Sequence, residues 1–326
     1  MSTQFQNDIT LSIIIVNWNT RQLLLDCLAS LQVHQPAVSL EIIVVDNAST
    51  DGSVEAVRNA FPDVQIMVNP ANWGFARANN AALQRMRGRY AVLLNSDTVM
   101  KESTLQGLTD FMEQNPDAGV CGPQLLNADG SHQKSTGKFP RLVTEFVSKK
   151  IVNLIAPITP DGSGRGTAHH EPNRVPVDFV LGACMMVRKK AIETTGMLDE
   201  DYFFLYEEID WCYRMHQKGW QVYYFPAVSL YHLGGQSMRE INLRARVESW
   251  RSRYLFFKKS MNLTGLGWFG VLSLGIMQCA YQFVLYGLLN AVTLLSQKRL
   301  RRRWEMFAYL LIWHLRGRPL SMGIPR

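Results

Sequence analysis

Short apolar runs alternate with helix-like segments through the first hundred residues, and this alternation limits the fold more than any other feature. Four short runs have the composition and length of one strand each: residues 11–16 and 41–45, which we expect to be buried, and residues 65–68 and 90–94. Segments with helical spacing or helix-capping residues lie between them, at positions 21–32, 50–60 and 74–87. This order predicts an α/β fold with a mainly parallel, Rossmann-like central sheet flanked by helices.

The pattern changes after residue 126. Residues 127–175 are rich in Gly, Pro, Ser and Thr, and we interpret them as a loop or insertion with one apolar helix near residues 142–155. Order resumes with a strand at 177–187 that contains a Gly-Ala step. We then expect a helix at 207–218 and a strand at 221–225, which the proline that follows should end.

The C-terminal quarter of the chain is apolar and basic. Residues 263–296 contain no charged side chain, and the basic cluster Lys298, Arg299, Arg301, Arg302 and Arg303 follows directly. We therefore predict one domain over residues 1–250 and a helical, membrane-associating extension over residues 251–326. The apolar stretch has the length of a membrane span, but an interfacial helix, a re-entrant pair and a packed helical hairpin remain open.

Composition narrows the partners and the compartment. The net charge of +7 is concentrated in the C-terminal region, which favours anionic lipid head groups. The chain has no zinc-finger spacing and no RNA-binding aromatic signature, so nucleic acid is not expected as a partner. The five cysteines form no CxxC pair, which is typical of reduced thiols in a cytosolic compartment.

Polar residues stand where three of the predicted strands end. Asn17, Asp46 and Asp97 each follow an apolar run, and ligands of such sheets gather beyond the carboxyl ends of the strands. Asp46 could accept a hydrogen bond from a nucleotide base or could serve as an ordinary turn residue. Asp97 could hold a divalent cation that bridges a diphosphate, because Mg²⁺ and Mn²⁺ prefer oxygen ligands.

A second group of candidates lies at helix ends and late in the chain. Arg77 opens a helix, where a guanidinium and the helix dipole both favour an anion. Glu207, Glu208 and Asp210 open another helix, and Asp210 has the spacing for an ion pair with Arg214. Glu208 lies on a different helix face and could act as a general base; Glu207 remains an alternative. His232 is a metal ligand only if the fold brings it to Asp97.

Taken as a set, these segments resemble glycosyltransferase family 2 enzymes with the GT-A fold, and within them the rhamnosyltransferase-like branch. The matching segments are residues 15–19, 44–52, 72–75, 93–97, 182–183 and 206–214. The resemblance implies that Asp97 and His232 hold Mg²⁺ or Mn²⁺, although Asn95 stands where the family's metal motif has its first acid. It assigns nine residues to the nucleotide-sugar site: Val16, Asn17, Asn19, Asp46, Asn47, Arg77, Asn95, Ser96 and Asp97.

The resemblance also implies the reaction. Glu208 would be the base of an inverting transfer, with Glu207 and Asp210 beside it and Gly182, Ala183 and Trp211 in the acceptor or sugar pocket. The leading donor is dTDP-L-rhamnose, and a UDP-hexose is the alternative. A lipid-linked or cell-surface glycan is the expected acceptor, at the cytoplasmic face of the bacterial inner membrane, and a homo-oligomer stays open.

Two other classes of protein fit the sequence less well. A nucleotide-dependent oxidoreductase requires a glycine-rich turn after the first strand, and residues 17–21 contain no glycine. A non-catalytic glycan-binding protein or membrane scaffold would not need the acidic residues that the chain retains.

Overall fold

The chain divides into two compact units. The computed structural model describes residues 9–146, 173–234, 242–293 and 296–324. The sheet unit comprises Met1–Phe139, Gly164–Arg239 and Arg326, and the helical unit comprises Pro140–Ser163 and Glu240–Pro325. This division differs from the predicted boundary at residue 250, because that position lies inside one unbroken helix, Asn242–Lys259.

The sheet unit contains the alternating elements that the sequence predicts. Its strands are β1 (Leu11–Asn17), β2 (Leu40–Asp46), β3 (Gln65–Val68), β4 (Tyr90–Asn95), β5 (Thr98–Val99), β6 (Ala118–Leu126), β7 (Thr136–Gly137), β8 (Val175–Pro176), β9 (Phe179–Val180), β10 (Cys184–Arg188) and β11 (Gln221–His232). Its helices are α1 (Arg21–Val33), α2 (Ser53–Ala60), α3 (Gly74–Leu83), α4 (Thr104–Gln114), α6 (Lys189–Thr195) and α7 (Glu207–Gln217). The helical unit adds α5 (Leu142–Phe146), α8 (Asn242–Lys259), α9 (Gly265–Val292) and α10 (Lys298–Leu315).

The central sheet is mainly parallel, as predicted. Its strand order is β3-β2-β1-β4-β10-β6-β11-β5, and β8 also pairs with β11. β1 is parallel to β2 and β4, whereas β10 runs antiparallel between β4 and β6. Apolar side chains of β1, β2 and β4 enter two separate cores, one on each face of the sheet, so helices cover both faces.

Two strands of this sheet, β6 and β11, differ from what sequence rules predict. β6 is buried along its whole length, but Gly119, Gly122 and Pro123 ordinarily interrupt a strand. Here a Cβ on Gly122 would lie 2.9 Å from Val180, so the glycine permits close packing. The expectation that β11 ends before Pro226 is wrong, because an irregularity between Phe225 and Ser229 lets the strand continue to His232.

A short strand inside the predicted insertion pairs with a strand just beyond it. Thr136 and Gly137 of β7 pair with Val180 and Phe179 of β9. The chain on the two sides of residues 138–178 therefore lies side by side. Of the predicted helix at 142–155, the first five residues form α5, and the rest of it lies outside the described residues.

In the helical unit, α9 is apolar on all sides. One face packs in an aromatic core with α8 and α10, while Leu266, Phe269, Met277 and Leu288 are exposed. Its 28 residues are long and apolar enough to cross a membrane, and only 17% of its most apolar window is buried.

Candidate active site

A chain of side-chain hydrogen bonds joins the ends of β1, β2 and β4. Asn17 donates to Asp46 Oδ1 at 2.9 Å, and Thr20 Oγ1 donates to Asn17 Oδ1 at 2.7 Å. The Thr20 hydroxyl also lies 2.9 Å from Ser96 Oγ. All four residues are at least nine-tenths buried. The carboxyl ends of three parallel strands therefore converge at one edge of the sheet, as the sequence predicts.

The loops beyond β1 and β2 are held to each other in the same region. Ser49 N donates to Asp46 Oδ2 at 2.8 Å, and Asn19 Oδ1 accepts from Thr50 N at 2.8 Å. Asn47 Nδ2 donates to the Gly74 carbonyl at 3.0 Å. Val16 is half-buried and pairs with Asn95 across the sheet. These contacts fix the loops whose residues were predicted to hold a nucleotide.

Asp97 meets His232 at the end of β11. His232 Nε2 lies 3.4 Å from Asp97 Oδ1, and both side chains are mostly buried. Leu233 N donates to the Asp97 carbonyl at 2.9 Å, which fastens the end of β11 to this loop. On the other side of the ring, His232 Nδ1 lies 2.6 Å from Gln133 Oε1. The fold thus brings His232 to Asp97, which is the condition for a metal-ligand role of His232.

The donor set suits a divalent cation that is completed by phosphate. One carboxylate and one imidazole nitrogen face each other at 3.4 Å, and the described part of the chain contains no group of three or more His, Cys, Asp or Glu residues that could hold a metal. The protein therefore offers two ligands here. Mg²⁺ and Mn²⁺ in phosphate-transferring sites commonly take one or two side chains plus the substrate's phosphates, so Asp97 and His232 fit such an ion.

Glu208 lies beside the same strand ends. The Ala183 carbonyl accepts from Asn95 N at 3.0 Å, which joins the Gly182–Ala183 step to β4. A Cβ on Gly182 would lie 3.7–3.9 Å from three side-chain carbons of Glu208. Gly182 is thus in ordinary van der Waals range of the Glu208 side chain. This path of contacts connects Glu208, through Gly182 and Ala183, to Asn95 at the end of β4.

Burial sets the protonation of the two adjacent glutamates. It raises the pKa of Glu208, and hydrogen bonds from backbone N–H groups, including that of Gly182, partly oppose the rise. Burial and the Glu208 charge raise the pKa of Glu207 well above its ordinary value. Within the described residues, the Oε2 atom of each glutamate has no hydrogen-bond partner. Glu208 is therefore anchored through backbone bonds and retains one oxygen that can accept a proton.

Three predicted site residues contact other parts of the protein. Asp210 forms the expected ion pair with Arg214 at 2.7 Å, which gives it a structural role. Trp211 is fully buried and donates to the Gly196 carbonyl at 2.8 Å, so it packs in the core and does not line the predicted acceptor pocket. Arg77 is half-exposed and stacks on Trp73, with its guanidinium 4.1 Å from the ring centroid.

Gly74 contacts both the loop after β2, through Asn47, and the segment before α7, through Phe203. Its φ is +77°, and a Cβ there would lie 2.3 Å from the Phe203 carbonyl oxygen. Phe75 N donates to that same carbonyl at 2.9 Å. Leu205 and Tyr206, just before Glu207, also have positive φ. Such backbone strain persists only where surrounding contacts hold it, and it is common at active sites.

We expect Gly74→Ala to destabilise the fold by about 1–3 kcal/mol, because the new Cβ adds a clash to an unfavourable φ. Gly130→Ala is the matched control, since Gly130 has a φ of +80° but no neighbour within 4 Å. Urea unfolding of both variants measures the difference. Equal loss of stability in the two would contradict a close approach of Phe203 to Gly74.

Sequence reasoning missed Thr20 and Gln133. Thr20 had a signal, because it lies three residues after Asn17 in the loop that follows β1. Gln133 had none, because it lies in a segment without periodicity and reaches His232 only through tertiary contacts.

Helices on both faces of a mainly parallel sheet, with this polar site at its carboxyl edge, form the arrangement expected of the GT-A fold. The fold is similar to that of mannosyltransferase PcManGT from Pyrobaculum calidifontis, solved in complex with GDP-Man and Mn²⁺ (TM-score 0.55, 17% identity, 94% of this chain and 86% of that chain). The sequence profile "Glycosyl transferase family 2" matches residues 12–196, more than half of the chain. The chain therefore belongs to glycosyl transferase family 2.

Two of the relatives are named as rhamnosyltransferases. The chain is 28% identical over 214 residues to the N-acetylglucosaminyl-diphospho-decaprenol L-rhamnosyltransferase of Mycobacterium tuberculosis, covering 62% of this chain and 68% of that protein. It is 23% identical over 219 residues to the dTDP-rhamnosyl transferase RfbF of Shigella flexneri, covering 65% and 67%. The predicted family, fold class and enzyme class are confirmed.

Proposed function

We propose that this glycosyltransferase transfers a sugar with inversion from a nucleotide-sugar donor, with dTDP-L-rhamnose the leading candidate, to a lipid-linked or cell-surface glycan. The observation that carries the proposal is the convergence of Asp46, Asp97, His232 and Glu208 at one edge of the sheet through the contacts above. The relatives support the donor and the acceptor class, because one is named for dTDP-rhamnose and the other for a decaprenol-linked substrate.

In the proposed mechanism, Asp46 binds the nucleotide base, and Asn17 holds the Asp46 carboxylate in place. Asp97 and His232 would hold the divalent cation. When bound, Mg²⁺ or Mn²⁺ neutralises charge on the departing diphosphate. The Oε2 atom of Glu208 takes the proton of an acceptor hydroxyl while that oxygen forms a bond to the anomeric carbon. The bond from this carbon to the diphosphate breaks on the opposite face, so the configuration inverts.

The test is a screen of purified protein against dTDP-L-rhamnose, UDP-hexoses and GDP-mannose, with Mg²⁺, Mn²⁺ or EDTA. Acceptors are prenyl-diphosphate sugars in detergent. We expect dTDP release only when a matching acceptor is present, and an inverted anomeric configuration of the product by NMR. Release from a UDP-hexose alone would move the donor assignment to the alternative. No release with any donor would favour a non-catalytic role.

We also propose that the helical unit lies on the cytoplasmic face of the inner membrane, with α9 in the plane of the interface. α10 runs back along α9, and Trp304 stacks on Phe283 with ring centroids 5.6 Å apart. The basic cluster at the start of α10 therefore lies beside the C-terminal half of α9. If α9 spanned the membrane, it would bring these charges towards the hydrocarbon. Five buried free cysteines agree with a reducing compartment.

Replacing Arg301, Arg302 and Arg303 by Gln should weaken binding to phosphatidylglycerol vesicles roughly 100-fold, because each basic residue near an anionic surface contributes about 1 kcal/mol. Lys189, Lys190 and Lys218 are exposed residues of the sheet unit, and their replacement by Gln is the charge-matched control. Vesicle flotation at low and high salt measures the binding. Equal binding by both triple variants would contradict contact between α10 and lipid.

A further inference from the structure

Gln133 is held in one orientation by contacts at both ends of its amide. Its Nε2 atom donates to Asn127 Oδ1 at 3.0 Å and to the His232 carbonyl at 3.3 Å. Both partners are oxygens that can only accept, so the amide nitrogen must point to them. The Oε1 atom is then directed to His232 Nδ1, 2.6 Å away.

This orientation selects one tautomer of His232. An amide oxygen can only accept, so His232 Nδ1 must bear the hydrogen that it donates to Gln133. In the neutral ring, Nε2 then presents a lone pair to Asp97 Oδ1 at 3.4 Å. Two acceptors that face each other across this distance favour a cation between them. In the opposite tautomer, Nε2–H would donate to Asp97 and occupy both ligand atoms.

We propose that Gln133 is a positioning residue that fixes His232 as the Nδ1–H tautomer and so keeps the Asp97–His232 pair ready for a divalent cation. The inference rests on the proposed metal role of this pair. Gln133 itself touches neither substrate nor ion. Hydrogen bonds to the far nitrogen of a metal-binding histidine commonly change metal affinity 10- to 100-fold.

The variant that tests the proposal is Gln133→Met, which keeps the length of the side chain and removes both the amide oxygen and the amide nitrogen. Gln133→Glu keeps an acceptor for Nδ1–H, while it removes the amide hydrogens that bond Asn127 and the His232 carbonyl. His132→Ala is the matched control, since His132 is an exposed neighbour in the same segment. Circular dichroism and urea unfolding report whether each variant folds. If Gln133→Met does not fold, Asn127→Ala takes its place, because this change removes one contact of the Gln133 amide.

The first readout is the ¹⁵N NMR spectrum of histidine-labelled, metal-free protein, with the His232 signals assigned through His232→Ala. We expect pyridine-like Nε2 and pyrrole-like Nδ1 shifts in the wild type, His132→Ala and Gln133→Glu. In Gln133→Met, the population should move towards the Nε2–H tautomer. The second readout is Mn²⁺ binding with dTDP present, by electron paramagnetic resonance. We expect a 10- to 100-fold loss for Gln133→Met and less than 3-fold for the other two.

A Gln133→Met variant with the wild-type tautomer and Mn²⁺ affinity would overturn the inference. The metal-free spectrum does not depend on turnover, so this outcome is separate from a failure of the proposed function. A wild-type protein that releases no nucleotide but shows the expected spectra would remove the function and leave the tautomer assignment intact. Normal transfer by a wild-type protein in which His232 is already the Nε2–H tautomer would remove the tautomer assignment and leave the proposed function intact.

Discussion

Glu208→Gln is expected to lower kcat about 10²- to 10⁴-fold, the usual contribution of a general base, with little change in donor affinity. The amide keeps the shape of the side chain but cannot take the proton of the acceptor hydroxyl. Isothermal titration with dTDP should therefore give a near-wild-type Kd, while product formation falls. The wild-type rate depends on the ionised form of Glu208, and its pKa is raised by burial. Transfer should thus decline as the pH falls through that raised pKa.

Glu207→Gln is the matched control, because it makes the same chemical change at the adjacent buried position. Burial holds the pKa of Glu207 high, so the folded protein retains a proton there that the unfolded chain releases. The free energy of unfolding therefore decreases as the pH rises through the raised pKa, and Glu207→Gln should remove that part of the decrease. A larger loss of kcat in Glu207→Gln than in Glu208→Gln would transfer the base assignment to Glu207.

Asp97→Asn should reduce kcat about 10²- to 10³-fold, the range found when one preorganised electrostatic partner of a transition state is removed. The amide retains the volume of the side chain but brings no charge to a cation beside His232. The Leu233 bond to the Asp97 carbonyl uses the backbone, so the substitution leaves the attachment of β11 in place.

Mn²⁺ titration monitored by electron paramagnetic resonance, in the presence of dTDP, measures the loss of the ion directly. Asp63→Asn changes an exposed aspartate and controls for net charge. A rate that returns to the wild-type value at high Mn²⁺ would mean that Asp97 contributes affinity alone. A near-wild-type rate without added metal would contradict a catalytic role for the Asp97–His232 pair.

Local sequence rules predicted the part of the fold that local interactions determine. The first four strands of the sheet are the predicted apolar runs, of which β1, β2 and β4 are mostly buried and β3 is partly exposed. The carboxyl ends of β1, β2 and β4 bring Asn17, Asp46 and Asp97 to one edge, as expected. β6 was beyond those rules, because its glycines are explained only by side chains that pack on them from Val180 and Trp220.

The same limit applies to the site. Trp211 lies one residue from Asp210 in a matching segment, but helical periodicity turns it into the core, where its indole N–H bonds to Gly196. The partnership of His232 with Gln133 joins residues 99 positions apart, and no local pattern reports such a pair. The resemblance of whole segments gave His232 its predicted role, because it compares the order of several motifs along the chain, which periodicity does not.

The pairing of β7 with β9 has a consequence for how such enzymes can diversify. Gly137 and Phe179 are paired across β7 and β9, so the chain ends on the two sides of residues 138–178 are held together. The length of a segment between such paired ends hardly affects the entropy of closing the loop, because each doubling costs about 0.6 kcal/mol. Gln133 lies shortly before β7 in the sequence, and Gly182 lies shortly after β9. Acceptor-recognising segments could thus be exchanged over evolution while the chemical machinery keeps its alignment.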